Sequence, residues 1–483
     1  MKTNTKLRLV TTQTEPLTTT AHERLIEFMQ GRRGQSFPPN FAVFERELHS
    51  KIAEVEREIL ADELAKADVD EPSIVVEGTT YRRVLRSKQT YQTAAGNVNI
   101  ERTLYKDRTV SDAVAIVPLD MHVGIIDGRW TPLAAEQAVW VVSQMTPQLA
   151  EELFARTGHM QPSKSSLDRL PKVISERWED NRIEFERVLR EGLQIPPGTK
   201  TIAISIDGVL APMKATDPVG TRTRAASKGK LAKGPAGYRE VGCGTLSFCD
   251  ADGKMMSAIR IARMPEPHKA TMKSSLLAEL TGILKQRPNL KLVKLADGAK
   301  DNWTYLSDEV PEGAEIVDFY HAIEHLNSAL GTAYGDGSLD AQRRLNDLRH
   351  VLRHEDSGVN KVITALTNLR RKHPKRTLIA TQLQYFRNNR ARMQYATMAK
   401  LGYPIGSGVV EAACKTLVSQ RLKCSGMRWG HDGGQAILTV RGWTQSERFD
   451  QAWALLAATY AVTVTTVENV IDFQSAKANR ASR

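Results

Sequence analysis

Three acidic residues, Asp207, Asp297 and Glu411, have types and positions that suit metal-dependent chemistry. Asp207 and Asp297 end the strand-like runs TIAISID and KLVKLAD, and each is followed by glycine, whereas Glu411 lies in a helical pattern. Crowded carboxylates repel one another unless protons or cations intervene, and Mg²⁺ prefers such oxygen ligands. Two such ions about 3.5–4 Å apart activate an attacking oxygen and stabilise a leaving oxygen in phosphoryl transfer. Taken singly, each acid is better explained as an ordinary turn or surface residue, and it is the position of the acids relative to the predicted strands that favours a shared site.

The segments around these acids alternate between strand and helix patterns. The predicted elements are strands at 201–212, from Tyr238 and from Lys254, a helix at 269–286, a strand at 291–298, a helix from Asn302 and a strand at 314–321. Three antiparallel strands followed by β-α-β units predict an α/β fold with a mixed sheet covered by helices. Because sites in open α/β sheets form beyond the strand ends, we expect the three carboxylates to cluster within roughly 10 Å.

The 483 residues allow several folding units, whose boundaries follow changes in composition. The predicted regions are a disordered N-terminus at 1–20, a helical region at 21–70, a small β-meander at 71–112, a helical region at 113–194, the first part of the catalytic core at 195–335, an all-helical basic insertion at 336–402, a closing helix with Glu411 at 403–430 and a helical tail at 431–483. The best turn signal of the meander is Gly96-Asn97.

Residues 146–170 have the outline of a helix-turn-helix. Thr146-Pro147 predicts a helix start, Gly158 a stop, and Ser163 the cap of a short second helix that ends before Pro171. In such motifs the second helix enters the major groove of DNA. The DNA-contacting candidates are Ser165, Ser166 and Arg169. An ordinary helical hairpin fits the same pattern.

Basic residues are concentrated in two stretches, and the whole chain carries a formal net charge of +12. Residues 338–428 contain 18 lysines and arginines against five acids. The four most clustered cations of the insertion are Arg371, Lys372, Lys375 and Arg376, and a Gly- and Ser-rich loop carries Arg222, Arg224, Lys228 and Lys230. Such clusters suit phosphate backbones of nucleic acid, although well-solvated faces give the same composition.

Four segments of the sequence together resemble the catalytic core of bacterial insertion-sequence DDE transposases of the ISKra-type group, which are distantly similar to mutator-like transposases. These segments are SIDGV, KLADGAKDNW, VDFYHAIEHL and GSGVVEAACKTLVSQRLKCSGMRW. The resemblance covers about residues 195–430. It implies an RNase H-like fold in which Asp207, Asp297 and Glu411 bind Mg²⁺, for which Mn²⁺ can substitute.

The resemblance also gives roles to residues near the acids. It implies that His321 places the scissile phosphate or tunes the metals, and it relates Asp318 and His321 to a second family motif. Residues after Glu411 are expected to grip DNA, with Trp429 able to stack on an unpaired base. These DNA-binding candidates are Lys415, Arg421, Lys423, Arg428 and Trp429. Relatives often carry a Cys-rich zinc module, but residues 1–242 contain no cysteine, so zinc is not expected.

Composition excludes several other classes of protein. The chain has no apolar run long enough for a membrane span and no signal-peptide pattern, and its four cysteines are too few for a disulfide scaffold. We therefore expect a cytoplasmic protein. The resemblance implies in addition that it is nucleoid-associated and acts on double-stranded DNA as a homodimer or higher homo-oligomer. The leading hypothesis is a transposase, and the alternatives are a nuclease on the same fold and a non-catalytic DNA-binding regulator derived from a transposase.

Overall fold

The structure is a computed structural model that describes residues 18–35, 37–38, 40–158, 160–214, 237–406 and 408–466. The chain divides into two compact units, one made of Met1–Leu170 with Trp453–Arg483 and the other of Pro171–Ala452. Among the described residues, no helix is both long and apolar enough to cross a membrane.

The first unit combines helices with a small antiparallel sheet. Its elements are α1 (Thr18–Arg32), α2 (Phe41–Lys66), β1 (Ser73–Val76), β2 (Thr79–Thr93), β3 (Gly96–Lys106), α3 (Pro118–Val123), α4 (Pro132–Gln144), α5 (Pro147–Thr157) and the start of α6 (Lys164–Glu191). The disorder predicted for residues 1–20 does not hold for Thr18–Thr20, which open α1, and 1–17 lie outside the described residues.

The predicted turn of the meander is displaced by two residues. Thr93 pairs with Gly96, so Ala94 and Ala95 form the turn and Gly96 begins β3. The register places Tyr91 opposite Val98, and both side chains are buried in the core of this unit. Burial of one face of the hairpin therefore fixes the register, as expected for a sheet with one covered side.

The tail of the chain is not purely helical, in contrast to the prediction for 431–483. Helices α16 (His431–Gln445) and α17 (Phe449–Ala458) are followed by the short strand β9 (Thr465–Thr466). Strand β9 pairs antiparallel with β1, and the sheet order is β3-β2-β1-β9. Residues 467–483 lie outside the described part of the chain.

Helix α6 is one continuous helix of 28 residues that contains Pro171, whereas the sequence predicted a break there. Proline removes one backbone hydrogen bond and disfavours a helix interior. Here Leu167, Leu170 and Ile174 are all fully buried along one face, so packing on both sides of Pro171 outweighs the local penalty.

The second unit contains a five-stranded mixed sheet with the order β6-β5-β4-β7-β8, which confirms the predicted mixed α/β fold. Its elements before the insertion are β4 (Thr201–Pro212), β5 (Tyr238–Cys249), β6 (Met255–Arg263), α7 (Ala270–Gln286), β7 (Lys291–Ala296), α8 (Lys300–Asp308), β8 (Ala314–Val317) and α9 (Phe319–Tyr334). Strand β5 is antiparallel to β4 and β6, and β7 is parallel to β4 and β8. The strand predicted at 314–321 ends at Val317, because Asp318 caps α9.

The segment predicted to be an all-helical insertion consists of α10 (Leu339–His354), α11 (Gly358–Lys372), α12 (Thr377–Asn388) and α13 (Tyr395–Lys400). Leu352, Leu366 and Phe386 of these helices belong to the same hydrophobic core as Val293 and Ile316 of the sheet. The insertion is therefore packed as part of the second unit. The chain continues with α14 (Gly408–Ala413), a π-helical segment at Cys414–Ser419 and α15 (Gln420–Leu422).

Candidate functional site: a carboxylate cluster at the strand ends

Three aspartates occupy equivalent positions on three neighbouring parallel strands. Ser205 of β4 pairs with Leu295 of β7, so Asp207 and Asp297 follow two residues later on each strand. Ala296 of β7 pairs with Val317 of β8, so Asp318 stands level with Asp297, and its N–H donates to the Ala296 carbonyl at 2.8 Å. Because adjacent strands are about 4.8 Å apart, the three aspartates lie side by side.

Asp207 differs from its prediction because it lies within a strand. Strand β4 continues to Pro212 through its pairing with β5, while its pairing with β7 ends at Ser205. Asp207 Oδ1 accepts the Gly208 N–H at 2.7 Å, and Oδ2 accepts the thiol of Cys414 at 3.6 Å. Burial raises the pKa of Asp207, and the carboxylate of Asp297 adds to the rise.

Asp297 is held by the start of the following helix. Its Oδ1 accepts the Ala299 N–H and the Asn302 side-chain amide, each at 3.0 Å. The glycine after it gives room for a tyrosine of the insertion, because a Cβ at Gly298 would lie 2.2 Å from Cε2 of Tyr385. The Asp-Gly pair therefore brings α12 against the strand end.

Asp318, His321 and Glu411 form a compact group. One ligand atom from each residue lies within 4.8 Å of those of the other two. Asp318 is fully buried and accepts the His321 N–H at 2.7 Å, which caps α9 and places His321 in its first turn. The His321 Nε2 atom lies 3.8 Å from Glu411 Oε1, and Nδ1 lies 3.2 Å from Glu324 Oε2.

The charges of this cluster act on one another. Burial, then the carboxylate of Asp318, raises the pKa of Glu411, and Asp207 contributes in the same direction. For His321, burial lowers the pKa, but the carboxylates of Asp318, Glu324, Glu411 and Asp297 outweigh it and the net pKa is raised. The structure therefore brings Asp207, Asp297, Glu411 and His321, the four residues that the sequence singled out, into one electrostatic cluster.

The donor set fits a hard divalent cation. Ligand atoms of Asp318, His321 and Glu411 lie within 4.8 Å of one another, and Asp207 and Asp297 follow on the neighbouring strands. Carboxylate oxygens are the ligands that Mg²⁺ and Mn²⁺ prefer. The pKa values of Asp207 and Glu411 are raised by burial and then by neighbouring carboxylates, and a positive ion would offset both effects. In addition, the buried hydroxyl of Tyr385, whose pKa is raised by burial and by Asp297 and Asp318, has no hydrogen-bond partner among the described residues. A metal-bound oxygen beside it would satisfy that donor.

The predicted DNA-binding residues separate into exposed and packed groups. Those that are exposed are Arg371, Lys372, Lys375, Arg376, Lys415, Lys423 and Arg428. Arg421 is only 2% exposed and stacks over the ring of Trp429, whose indole N–H donates to the Leu422 carbonyl at 3.0 Å. In contrast to the prediction for Arg421, its side chain is packed against Trp429 and stabilises the turn after α15. Stacking of the half-buried Trp429 on an unpaired base stays a prediction. Arg222, Arg224, Lys228 and Lys230 lie outside the described residues.

The helix-turn-helix candidate consists of α5, a turn that begins at Gly158 with a φ of 80°, and the first turns of α6. Ser163 accepts the Ser166 N–H at 3.3 Å and so caps α6 as predicted. Ser165 is exposed, whereas Ser166 is 4% exposed and cannot reach a base. Arg169 is half-exposed and forms an ion pair with Asp127 at 2.5 Å. Only part of the predicted base-reading face is therefore accessible.

Three residues of the site were not assigned from the sequence. Asp318 was noted only as part of a family motif, although its position directly after a strand matches that of Asp297. Tyr385 is far from the acids in sequence and no pattern connects it to the site. Cys414 follows Glu411 by three residues in a helical pattern, and that spacing is the signal that could have found it.

Comparison with known proteins gave little similarity. No protein-family model and no curated protein sequence matches the chain. The Drosophila P element transposase strand transfer complex is 12% identical with a TM-score of 0.25, over 68% of this chain and 81% of that chain. The pre-cleavage Mos1 transpososome is 9% identical with a TM-score of 0.13, over 68% of this chain and 78% of that chain. TM-scores this low do not establish a common fold, so the two likenesses support no assignment.

Proposed function

We propose that the chain is a DDE-type transposase that cleaves DNA at the ends of an insertion sequence and joins the freed ends to target DNA. The observation that carries this proposal is the alignment of Asp207, within β4, with Asp297 and Asp318, directly after β7 and β8, together with the group of Asp318, His321 and Glu411. The order β6-β5-β4-β7-β8, in which only β5 runs opposite to the other four strands, supports an RNase H-like core. The resemblance of the four sequence segments supports transposition over other nucleic-acid chemistry.

The acidic residues of the cluster have two roles, which are metal binding and capping of α9. Mg²⁺, or Mn²⁺ in its place, would supply Lewis-acid activation of the attacking oxygen and charge stabilisation of the leaving oxygen. Asp207, Asp297 and Glu411 would hold the cations, and Asp318 adds a buried carboxylate while it fixes the first turn of α9. His321, between Glu411 and Glu324, is placed to donate a proton or hydrogen bond to a phosphate oxygen.

DNA contacts follow from the exposed cations of the same unit. Lys415, Lys423 and Arg428 follow Glu411 closely in sequence, and they bind backbone phosphates beside the scissile bond. The insertion cluster Arg371, Lys372, Lys375 and Arg376 provides affinity that does not depend on sequence. Recognition of the element ends is assigned to the accessible part of the first turns of α6, including Ser165.

A cleavage assay tests the proposal. A plasmid that carries the two DNA segments flanking the reading frame is incubated with the full chain and Mg²⁺ or Mn²⁺, and nicked, cut and joined products are resolved. We expect all three from the wild type, and none from Asp207→Asn, Asp297→Asn or Glu411→Gln. The matched control Asp308→Asn removes an exposed carboxylate of α8 and should cut normally. Cleavage of the DNA without joining would instead indicate a nuclease. Binding of the DNA without cleavage would indicate a non-catalytic regulator.

A further inference from the structure

A cysteine thiol lies directly behind one of the proposed metal ligands. The Cys414 thiol donates to Oδ2 of Asp207 at 3.6 Å, while Oδ1 accepts the backbone N–H of Gly208 at 2.7 Å. Cys414 is 8% exposed, so water does not readily compete for this contact. The two donors leave the carboxylate of Asp207 one orientation in which both oxygens are satisfied.

Cys414 also lies on the helical segment that carries Glu411. The two residues are three positions apart, so they share one face of the helix. Cys414 begins the π-helical segment Cys414–Ser419, and such segments are frequent at functional sites because they re-aim side chains. The contact between Cys414 and Asp207 therefore joins the strand that carries one proposed ligand to the helix that carries another.

A second thiol lies beside Asp207. Cys243 of β5 pairs directly with Asp207 of β4, and residues paired in this way point to the same face of the sheet. Cys243 is fully buried, and its side chain, together with burial, raises the pKa of the Cys414 thiol. Cys414 therefore lies near both Cys243 and Asp207.

We propose that Cys414 is a positioning residue for metal binding, whose thiol fixes the Asp207 carboxylate in the orientation that lets it share cations with Glu411. The proposal rests on the proposed function, since it requires Asp207 to be a ligand. Groups that hydrogen-bond to a metal ligand orient it, and their loss typically weakens metal binding 10- to 100-fold. A thiol is a weak donor, so we expect an effect near the lower end.

Calorimetric titration of the full chain with Mn²⁺, in the absence of DNA, measures this effect apart from catalysis. We expect Cys414→Ala to raise the dissociation constant about tenfold, and Cys414→Ser, which restores a donor, to bind nearly as the wild type. Cys249→Ala removes a thiol that is also buried on β5 but lies at the far end of the strand, and it should not change Mn²⁺ affinity. Unfolding temperatures in EDTA show that each variant is folded. If Cys414→Ala is not folded, Cys414→Val replaces it in the titration, because valine keeps the volume of the side chain and lacks the thiol donor.

Two results would overturn the proposal. Wild-type affinity in Cys414→Ala or Cys414→Val would show that Asp207 needs no thiol, and equal weakening in Cys414→Ser and Cys414→Ala would show that packing matters rather than hydrogen bonding. Asp207→Asn distinguishes failure of this inference from failure of the proposed function. If Asp207→Asn loses Mn²⁺ binding while Cys414→Ala keeps it, only the role of Cys414 is wrong. If Asp207→Asn itself binds as the wild type, the metal site is wrong too.

Discussion

Replacement of Gly298 by alanine tests whether the insertion is built into the carboxylate cluster. The new Cβ would lie 2.2 Å from Cε2 and 3.1 Å from Cδ2 of Tyr385, far closer than ordinary carbon contacts. The tyrosine ring has little room to move, because it stacks on His325 at 3.6 Å and meets Phe386 edge-on. Either α12 or the loop after Asp297 must shift.

Overpacking of this kind costs about 1–3 kcal/mol. For a unit of this size, that corresponds to an unfolding temperature lower by roughly 2–12 °C. Because Gly298 immediately follows Asp297, we also expect weaker Mn²⁺ binding. The change in unfolding temperature is measured by circular dichroism during heating, and the change in Mn²⁺ affinity is measured by calorimetric titration.

Gly282→Ala is the matched control, since Gly282 lies within α7 and a Cβ there would meet Arg190 only at 3.6 Å. Alanine should leave stability unchanged or raise it by up to about 1 kcal/mol. A Gly298→Ala variant that unfolds at the wild-type temperature would refute the contact with Tyr385. The contact would also be refuted if Gly298→Ala lowered the unfolding temperature by the same amount when Tyr385 is replaced by alanine, because the clash requires the tyrosine ring.

Other predictions concern charge and burial. Glu279→Gln breaks a buried two-contact ion pair with Arg448 at 3.0 and 3.1 Å, so it should cost about 3–5 kcal/mol in denaturant unfolding and leave Mn²⁺ affinity unchanged. Arg421→Ala should lower the unfolding temperature with little change in DNA affinity, since its side chain is buried against Trp429; a selective loss of DNA binding would contradict this. Because the pKa of Asp207 is raised on folding, the metal-free protein should lose stability as the pH rises from the ordinary aspartate value through the raised one, and Asp207→Asn should remove that part of the slope. Neutralising the insertion cluster should weaken binding to all duplexes alike and reduce the salt dependence by about one unit per lost contact, measured by competition at two salt concentrations; retained affinity would assign the contacts elsewhere.

The sequence predicted the strands and most helices of the second unit because their patterns are local. The first six residues of β4 form a continuous buried run, and α7 begins one residue after its predicted start. The sequence predicted the bounds 201–212 of β4, but it could not show that pairing with β7 ends at Ser205 while pairing with β5 continues past Asp207. The predicted end of β8 is too late because Asp318 caps α9, and this hid the alignment of Asp318 with Asp297.

The sequence shows the type of each candidate residue, but it does not show which side chains are buried. Arg421 and Ser166 have the chemistry of DNA-binding residues, yet both are buried, because tertiary packing decides which side of a helix or turn is covered. Cys414 is 207 residues from Asp207 in the chain, and only folding brings the thiol to the carboxylate. Long-range contacts of this kind leave no periodic pattern.

The most direct test of the central claim is to locate bound metal. Crystals of the wild-type protein grown with Mn²⁺ should show anomalous scattering peaks among the carboxylates of Asp207, Asp297 and Glu411, and those peaks should disappear in Asp207→Asn. Absence of any peak among these carboxylates at saturating Mn²⁺, or a peak that is unchanged by Asp207→Asn, would contradict the assignment of this cluster as the catalytic metal site.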